Sequence, residues 1–296
     1  MLEWTSPVTE EDVEALVRLG RACLERDGGL PDIAEADHVR DTFVTEPSIA
    51  GRDELGDILA VAAVGFDTAG GRTATGLIDP TARGRGLGHE LSAWVHEQAG
   101  GPVRFVMDSV SPESEGLFAV LGMRQVFAEV MMRHSLRHIP VVRLPEDVVT
   151  LPFTDDTSEA FRRAYTESFK DQPGYDEGSA RAWGRWLREQ RGFAPEDSRV
   201  AMDVTGHVAG FVTVSDGWIE EVGVVPAWRG RGLGARLVAR TLTAIDKQGH
   251  DAAWLAVGSR NPARSLYERL GFRTRGRRAL YEDRPARGSM TPPEGA

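Results

Sequence analysis

The sequence predicts an α/β protein of two tandem units, each a mixed, largely antiparallel sheet flanked by helices, and three observations carry that expectation. A glycine-rich hexapeptide occurs twice, as Arg83-Gly84-Arg85-Gly86-Leu87-Gly88 and as Arg229-Gly230-Arg231-Gly232-Leu233-Gly234. A second matched pair follows, Leu117-Phe118-Ala119-Val120-Leu121-Gly122-Met123 and Leu266-Tyr267-Glu268-Arg269-Leu270-Gly271-Phe272. The same succession of strand-like and helix-like periodicities surrounds both pairs, which is the signature of an internal repeat.

Upstream of each hexapeptide lie apolar β-like runs, Ile58 to Phe66 and Val208 to Val214, each followed by a turn and a second run ending at Ile78 or Val225. Downstream come helical patterns, Glu90 to Gln98 and Ala235 to Lys247, then short strands, Val103 to Met107 and Ala252 to Val257. Two helical segments precede each core, Glu10 to Glu25 with Glu35 to Val44, and Ser158 to Phe169 with Ser179 to Gln190. Pro140 to Thr150 reads as the junction, with Pro145 and Pro152 bounding the first strand of the second unit. The expected division is therefore 1–140, 148–283, and a flexible Pro- and Gly-rich tail over 284–296.

At 296 residues the chain is long enough for two cores. Its 41% hydrophobic and 27% charged content is that of a globular protein with no membrane partner, and its start carries no basic and apolar leader, so the cytoplasm is the expected location. A single cysteine, Cys23, excludes an internal disulfide and a multi-thiolate zinc site, and no metal is expected. On an amphipathic helix Cys23 is expected to be buried and inert. A net charge of −10 argues against nucleic acid, whose backbone demands a basic face, and favours a cationic small substrate.

Against that acidic background each hexapeptide is locally basic. Between a strand and a helix its backbone N–H groups become the unpaired donors of a helix N-terminus, where the helix dipole also favours an anion. Glycines let phosphate oxygens approach the main chain with no Cβ between them. Neither copy ends in the Gly-Lys-Ser/Thr of a nucleoside-triphosphate loop, and the Gly-x-Gly-x-Gly spacing differs from that of dinucleotide folds.

Pro-x-x-Arg-Gly-x-Gly-x-Gly closing a strand, followed by Leu-Tyr-x-x-Leu-Gly-Phe, resembles the GNAT superfamily of acyl-CoA-dependent N-acetyltransferases. The resemblance spans both halves. The doubled arrangement, with Leu2-Glu3-Trp4 before a helix and Tyr165-Thr166-Glu167-Ser168-Phe169 early in the second half, is similar to the tandem-domain mycothiol synthase group. It implies that the amides of Arg229 to Gly234, and by extension those of Arg83 to Gly88, hold the pyrophosphate of acetyl-CoA, with Val224, Val225 and Asn261 also among the cofactor-binding residues. The asparagine that family members place seven residues before the tyrosine is replaced by Arg260, with Asn261 one residue closer.

Acyl transfer from a thioester to an amine needs a base for the amine proton and an acid for the departing thiolate. The resemblance gives the acid to Tyr267 and the base to a glutamate on the strand before the hexapeptide. Strand alternation puts Trp218 and Glu220 on one face and Glu221 on the other unless a bulge intervenes, which selects Glu220 as base and Trp218 as an acceptor wall. Phe169, Asp171 and Tyr175 are expected to line the acceptor cleft by position. In the first copy Ala74, Arg72 and Phe118 occupy the comparable positions, so that unit is expected to be catalytically degenerate. The expected reaction is acetylation of a small, cationic amine such as an amino sugar, an antibiotic or a cysteinyl-glucosamine-like compound, by a monomer or homodimer. Protein or peptide amine acetylation and non-catalytic acyl-CoA binding stand as alternatives.

Overall fold

The computed structural model describes residues 2–45, 47–67, 70–171, 175 and 177–283, with backbone alone for 177–181. The expected flexible tail, 284–296, lies outside them. Two compact units result, one built from the chain up to Met131 and from Arg275 onward, the other from Met132–Thr274.

In chain order the first unit runs β1 (Glu3–Thr5), α1 (Val13–Asp27), α2 (Ala36–Phe43), β2 (Ser48–Arg52), β3 (Ile58–Phe66), β4 (Arg72–Ile78), α3 (Leu87–Ala99), β5 (Arg104–Met107), α4 (Pro112–Val120) and β6 (Arg124–His134), which crosses the division. The second continues with β7 (Val148–Pro152), α5 (Ser158–Phe169), α6 (Glu177–Glu189), β8 (Arg199–Asp203), β9 (Val208–Ser215), β10 (Trp218–Val224), α7 (Leu233–Lys247), β11 (Ala253–Gly258) and α8 (Arg264–Arg269). β12 (Arg273–Glu282) then returns the chain to the first unit.

The first sheet has the order β1-β2-β3-β4-β5-β12, antiparallel except for the β4–β5 pair. The second has the order β11-β10-β9-β8-β7, antiparallel except for β10–β11. This is the mixed, mostly antiparallel architecture expected. The boundaries differ from 140, 148 and 283, because the last strand belongs to the first unit. Ala279, Leu280, Tyr281 and Glu282 pair with Met107, Val106, Phe105 and Arg104. Buried Ala279 and Tyr281 complete the first core, and Tyr281 stacks on Phe118 at 4.3 Å. A glycine contact secures the strand: Gly276, at φ +106°, lies so close to Gly28 and Gly29 that a Cβ would meet the Gly29 nitrogen at 2.2 Å.

In the second unit α5 buries Phe161, Ala164 and Ser168, three and four residues apart, so that one face of the helix meets β9. β9 is buried along its whole length. Phe161, Phe211 and Leu187 are fully buried in this cluster, each worth about 1.5–3 kcal/mol of burial.

Candidate active site

Both hexapeptides form the same turn. A short 3-10 turn, Pro80–Ala82 or Pro226–Trp228, leads from β4 or β10 into the loop, and the N-caps of α3 and α7 are Gly86 (φ +89°) and Gly232 (φ +81°). Gly84 and Gly230 are also left-handed, both at φ +75°, which side chains adopt only at a cost. A Cβ at any of these four would meet nothing within 4 Å, so the amides of each loop border open space. The first turns of α3 and α7 begin at these glycines, and the N–H groups there that are not taken up by bonds such as His89 N–H to the Gly86 carbonyl (2.9 Å) are of the kind that suits a pyrophosphate.

The two arginines in each loop serve differently. Arg83 Nε donates to the Ile78 carbonyl (3.2 Å) and Arg229 Nε to that of Val224 (3.0 Å), bracing the loop against the strand that feeds it. Arg229 also reaches the Ser168 carbonyl at the end of α5 (3.0 Å), while Arg83 pairs with Asp27 at 2.7 Å. These two side chains thus brace the loop, while Arg231 lies over the Trp228 ring (4.9 Å) and Arg85 donates to the Thr81 carbonyl (3.0 Å). The Val225 N–H is likewise engaged, by the Ala209 carbonyl. Asn261 lies in the turn before α8, its Oδ1 accepting from the Ala263 N–H (2.9 Å).

Parallel pairing between the strands beside each loop is brief. β4 and β5 pair only at Thr73 with Arg104 and Ala74 with Phe105, and β10 and β11 only at Trp218 with Trp254. Beyond those pairs the strands part. In the first unit the opening is a cavity of about 490 Å³ lined by Ile78, Gly84, Gly86, Gly88, Leu117 and Phe118. Cys23 borders it and is buried as expected, its thiol pushed up to about 11 by burial and kept inert.

The strand before the second hexapeptide carries the largest departure from the sequence reading. Trp218, Ile219, Glu221 and Gly223 pair with Ser215, Val214, Thr213 and Phe211, and the register shifts between Ile219 and Glu221. Glu220 is the extra residue of a β-bulge. Ser215, Thr213 and Phe211 alternate by two, so their partners Trp218, Glu221 and Gly223 share one face. The alternation that selected Glu220 is therefore reversed, and Glu221 is the carboxylate beside Trp218 on the face that carries Phe211. Sequence periodicity has no signal for such a bulge; the doubled glutamate in an otherwise apolar strand was the only hint.

Glu221 lies under α5 and α6. The Trp183 Nε1–H donates to its Oε2 at 2.7 Å. Tyr165 stacks on Trp183 at 4.8 Å, and Phe169 and Phe211 close the cluster. Burial, opposed by the Trp183 hydrogen bond and reinforced by the neighbouring Glu220 charge, raises the Glu221 carboxyl to about 7. Burial, and then the Glu221 charge, raises the Tyr165 hydroxyl, and the Tyr175 hydroxyl is buried with no hydrogen-bond partner among the described residues. Asp171 is exposed, and residues 172–174 of the expected acceptor loop lie outside the described residues.

Tyr267 occupies α8, buried, with its hydroxyl pushed up to about 12 by burial alone, so it holds its proton at neutral pH. Its carbonyl accepts from the Phe272 N–H (3.0 Å), as that of Phe118 does from Met123 (2.9 Å). The two copies therefore present Tyr267 and Phe118 on the same turn. In the first unit Ala74 and Phe118 are both buried core residues with no proton to exchange.

Comparison with known proteins agrees with this geometry. Residues 154–272 match the model of the acetyltransferase (GNAT) family. The mycothiol acetyltransferase of Thermobispora bispora is 32% identical over 210 residues, covering 66% of this chain and 70% of its own. That of Salinispora tropica is 29% identical over 279 residues, covering 88% and 89%. A crystal structure of a GCN5-related N-acetyltransferase from Sphaerobacter thermophilus superimposes with a TM-score of 0.74 at 27% identity, covering 96% of each chain. The chain belongs to the GNAT acetyltransferase family, as a tandem member, and is an acyl-CoA-dependent N-acyltransferase. No helix among the described residues is long and apolar enough to cross a membrane.

Proposed function

We propose that the second unit, residues 148–274 together with its linker, transfers the acetyl group of acetyl-CoA to a small polar amine, with Glu221 as base and Tyr267 as acid. The observation that carries this reading is a half-buried carboxylate against an aromatic cluster, held by an indole N–H on the strand that runs into the second glycine loop. A carboxyl raised to about 7 is matched to accepting a proton near neutral pH. The amine nitrogen attacks the thioester carbonyl carbon, its proton passes to Glu221, the C–S bond breaks, and the thiolate takes the Tyr267 proton. The mycothiol acetyltransferase relatives favour a cysteinyl-glucosamine-like acceptor among small amines. The walls of Tyr165, Phe169 and Trp183 and the net charge of −10 suit a compact cation better than a folded protein. A cytoplasmic location accords with an acetyl-CoA donor.

The first unit, in this reading, binds acyl-CoA in its cavity without turning it over. Acceptor comparison tests the substrate class: kcat/KM for small amino sugars and their cysteinyl derivatives is expected to exceed that for lysine and N-terminal peptides by at least about 100-fold, and equal values would overturn it. Tyr267→Phe is expected to lower kcat roughly 100-fold with acetyl-CoA affinity unchanged by calorimetry; unaltered turnover would remove Tyr267 from the chemistry.

A further inference from the structure

We propose that Trp183 is the positioning residue of the reaction: clamped between α5 and the sheet, it aims its indole N–H at Glu221 and keeps that carboxylate oriented for proton acceptance. The proposal rests on the reading of Glu221 as base and adds to it a residue that the sequence motifs do not contain.

The geometry is specific. The indole is held on two sides, stacked on Tyr165 at an interplanar angle of 28° and meeting Phe211 edge-on at 5.5 Å and 78°. Trp183 is only 5% exposed, so its rotamer is set by packing and its N–H has one direction in which to point. At the end of that direction is Glu221 Oε2 at 2.7 Å, the length of a charge-assisted bond. Two consequences follow for the carboxylate. One oxygen is fixed by the indole, which leaves the other to meet the acceptor amine or a bridging water. The donor also favours the charged form against the burial that opposes it.

The titratable groups that share this pocket among the described residues are few. Tyr165 from α5, raised by burial and by the Glu221 charge, keeps its proton near pH 7, and Tyr175 lies in the chain before α6. Glu220, on the bulge itself, adds a like charge. The indole N–H is therefore the principal group holding Glu221 ionised.

A purely structural tryptophan would, when shortened, lower activity alike at every pH. A positioning one would move the pH profile. Trp183→Phe keeps an aromatic ring on Tyr165 and removes the donor. Its acid limb in kcat/KM is expected about one pH unit above that of the parent, since a hydrogen bond to a charge is worth about a tenfold change in ionisation. The variant would then be about tenfold slower at pH 6 and within about twofold of the parent at pH 9.

An unmoved limb in a folded Trp183→Phe would overturn the proposal. Glu221→Gln separates the two ideas: loss of the limb there with no shift in Trp183→Phe sinks only the role of Trp183, whereas a limb that persists in Glu221→Gln sinks the base assignment. Should Trp183→Phe not fold, the parent itself decides by NMR. One indole N–H resonance is expected to titrate with the midpoint of the acid limb and to stop titrating in Glu221→Gln. If no indole resonance follows that limb, Trp183 does not hold the base.

Discussion

Gly232→Asp is expected to abolish acetyl transfer while leaving a folded protein. The position tolerates a side chain sterically, since a Cβ there would meet nothing within 4 Å. Its φ of +81° adds strain of roughly 1–2 kcal/mol, within the margin of an ordinary domain. The substitution puts a carboxylate into the space proposed for the pyrophosphate at the first-turn amides of α7, where the dipole that favours phosphate would hold the intruding carboxylate instead. Gly86→Asp is the control, because its surroundings are as open and its φ of +89° as unusual. It is expected to leave kcat within about twofold of the parent, on the proposal that the first unit, with Ala74 and Phe118 at the comparable positions, takes no part in the chemistry. Calorimetry with a non-hydrolysable acetyl-CoA analogue is expected to count two sites per chain in the parent and one in each variant. Lost turnover in a folded Gly86→Asp would mean that the first unit takes part in the reaction.

Glu221→Gln is expected to slow kcat/KM by roughly 1,000-fold, within the range that a positioned base supplies, and Glu220→Gln by less than about tenfold. Stability should move the other way. Because folding raises the Glu221 carboxyl from 4.5 to about 7, the native state holds a proton that the unfolded chain releases, so the parent loses stability as pH rises between those values. The loss is complete above about pH 7. Glutamine keeps an acceptor for the Trp183 N–H and carries no charge to bury. Glu221→Gln should thus match the parent near pH 4.5 and exceed it at pH 8 by up to about 3 kcal/mol, measured by denaturant unfolding at both pH values. A variant less stable than the parent at pH 8 would contradict the burial of an ionised carboxylate.

Much of this was legible in the sequence because the repeat is local. Ile58–Phe66 and Ser158–Phe169 form the elements whose limits their periodicity marks, and the hexapeptides sit at the strand-to-helix turns that glycine spacing requires. What escaped depends on partners distant in the chain. β12 pairs with β5 across the length of the second unit, and nothing within Arg273–Glu282 says that Tyr281 will stack on Phe118. Nothing in the motif says that Arg229 and Arg83 will each brace the loop by donating to a carbonyl of the strand before it. The bulge at Glu220 is invisible to a period of two, and one residue of slip exchanges the two glutamates between faces. Trp183 lies within α6 in a stretch with no motif, and only its packing on Tyr165 brings its indole to the carboxylate.

The most direct test is the pH dependence of kcat/KM between pH 5 and 9 for the parent, Glu220→Gln and Glu221→Gln, with acetyl-CoA as donor and a small amino sugar as acceptor. The account predicts an acid limb near pH 7 in the parent, the same limb in Glu220→Gln, and a slow profile without that limb in Glu221→Gln. A limb that survives in Glu221→Gln and vanishes in Glu220→Gln would contradict it.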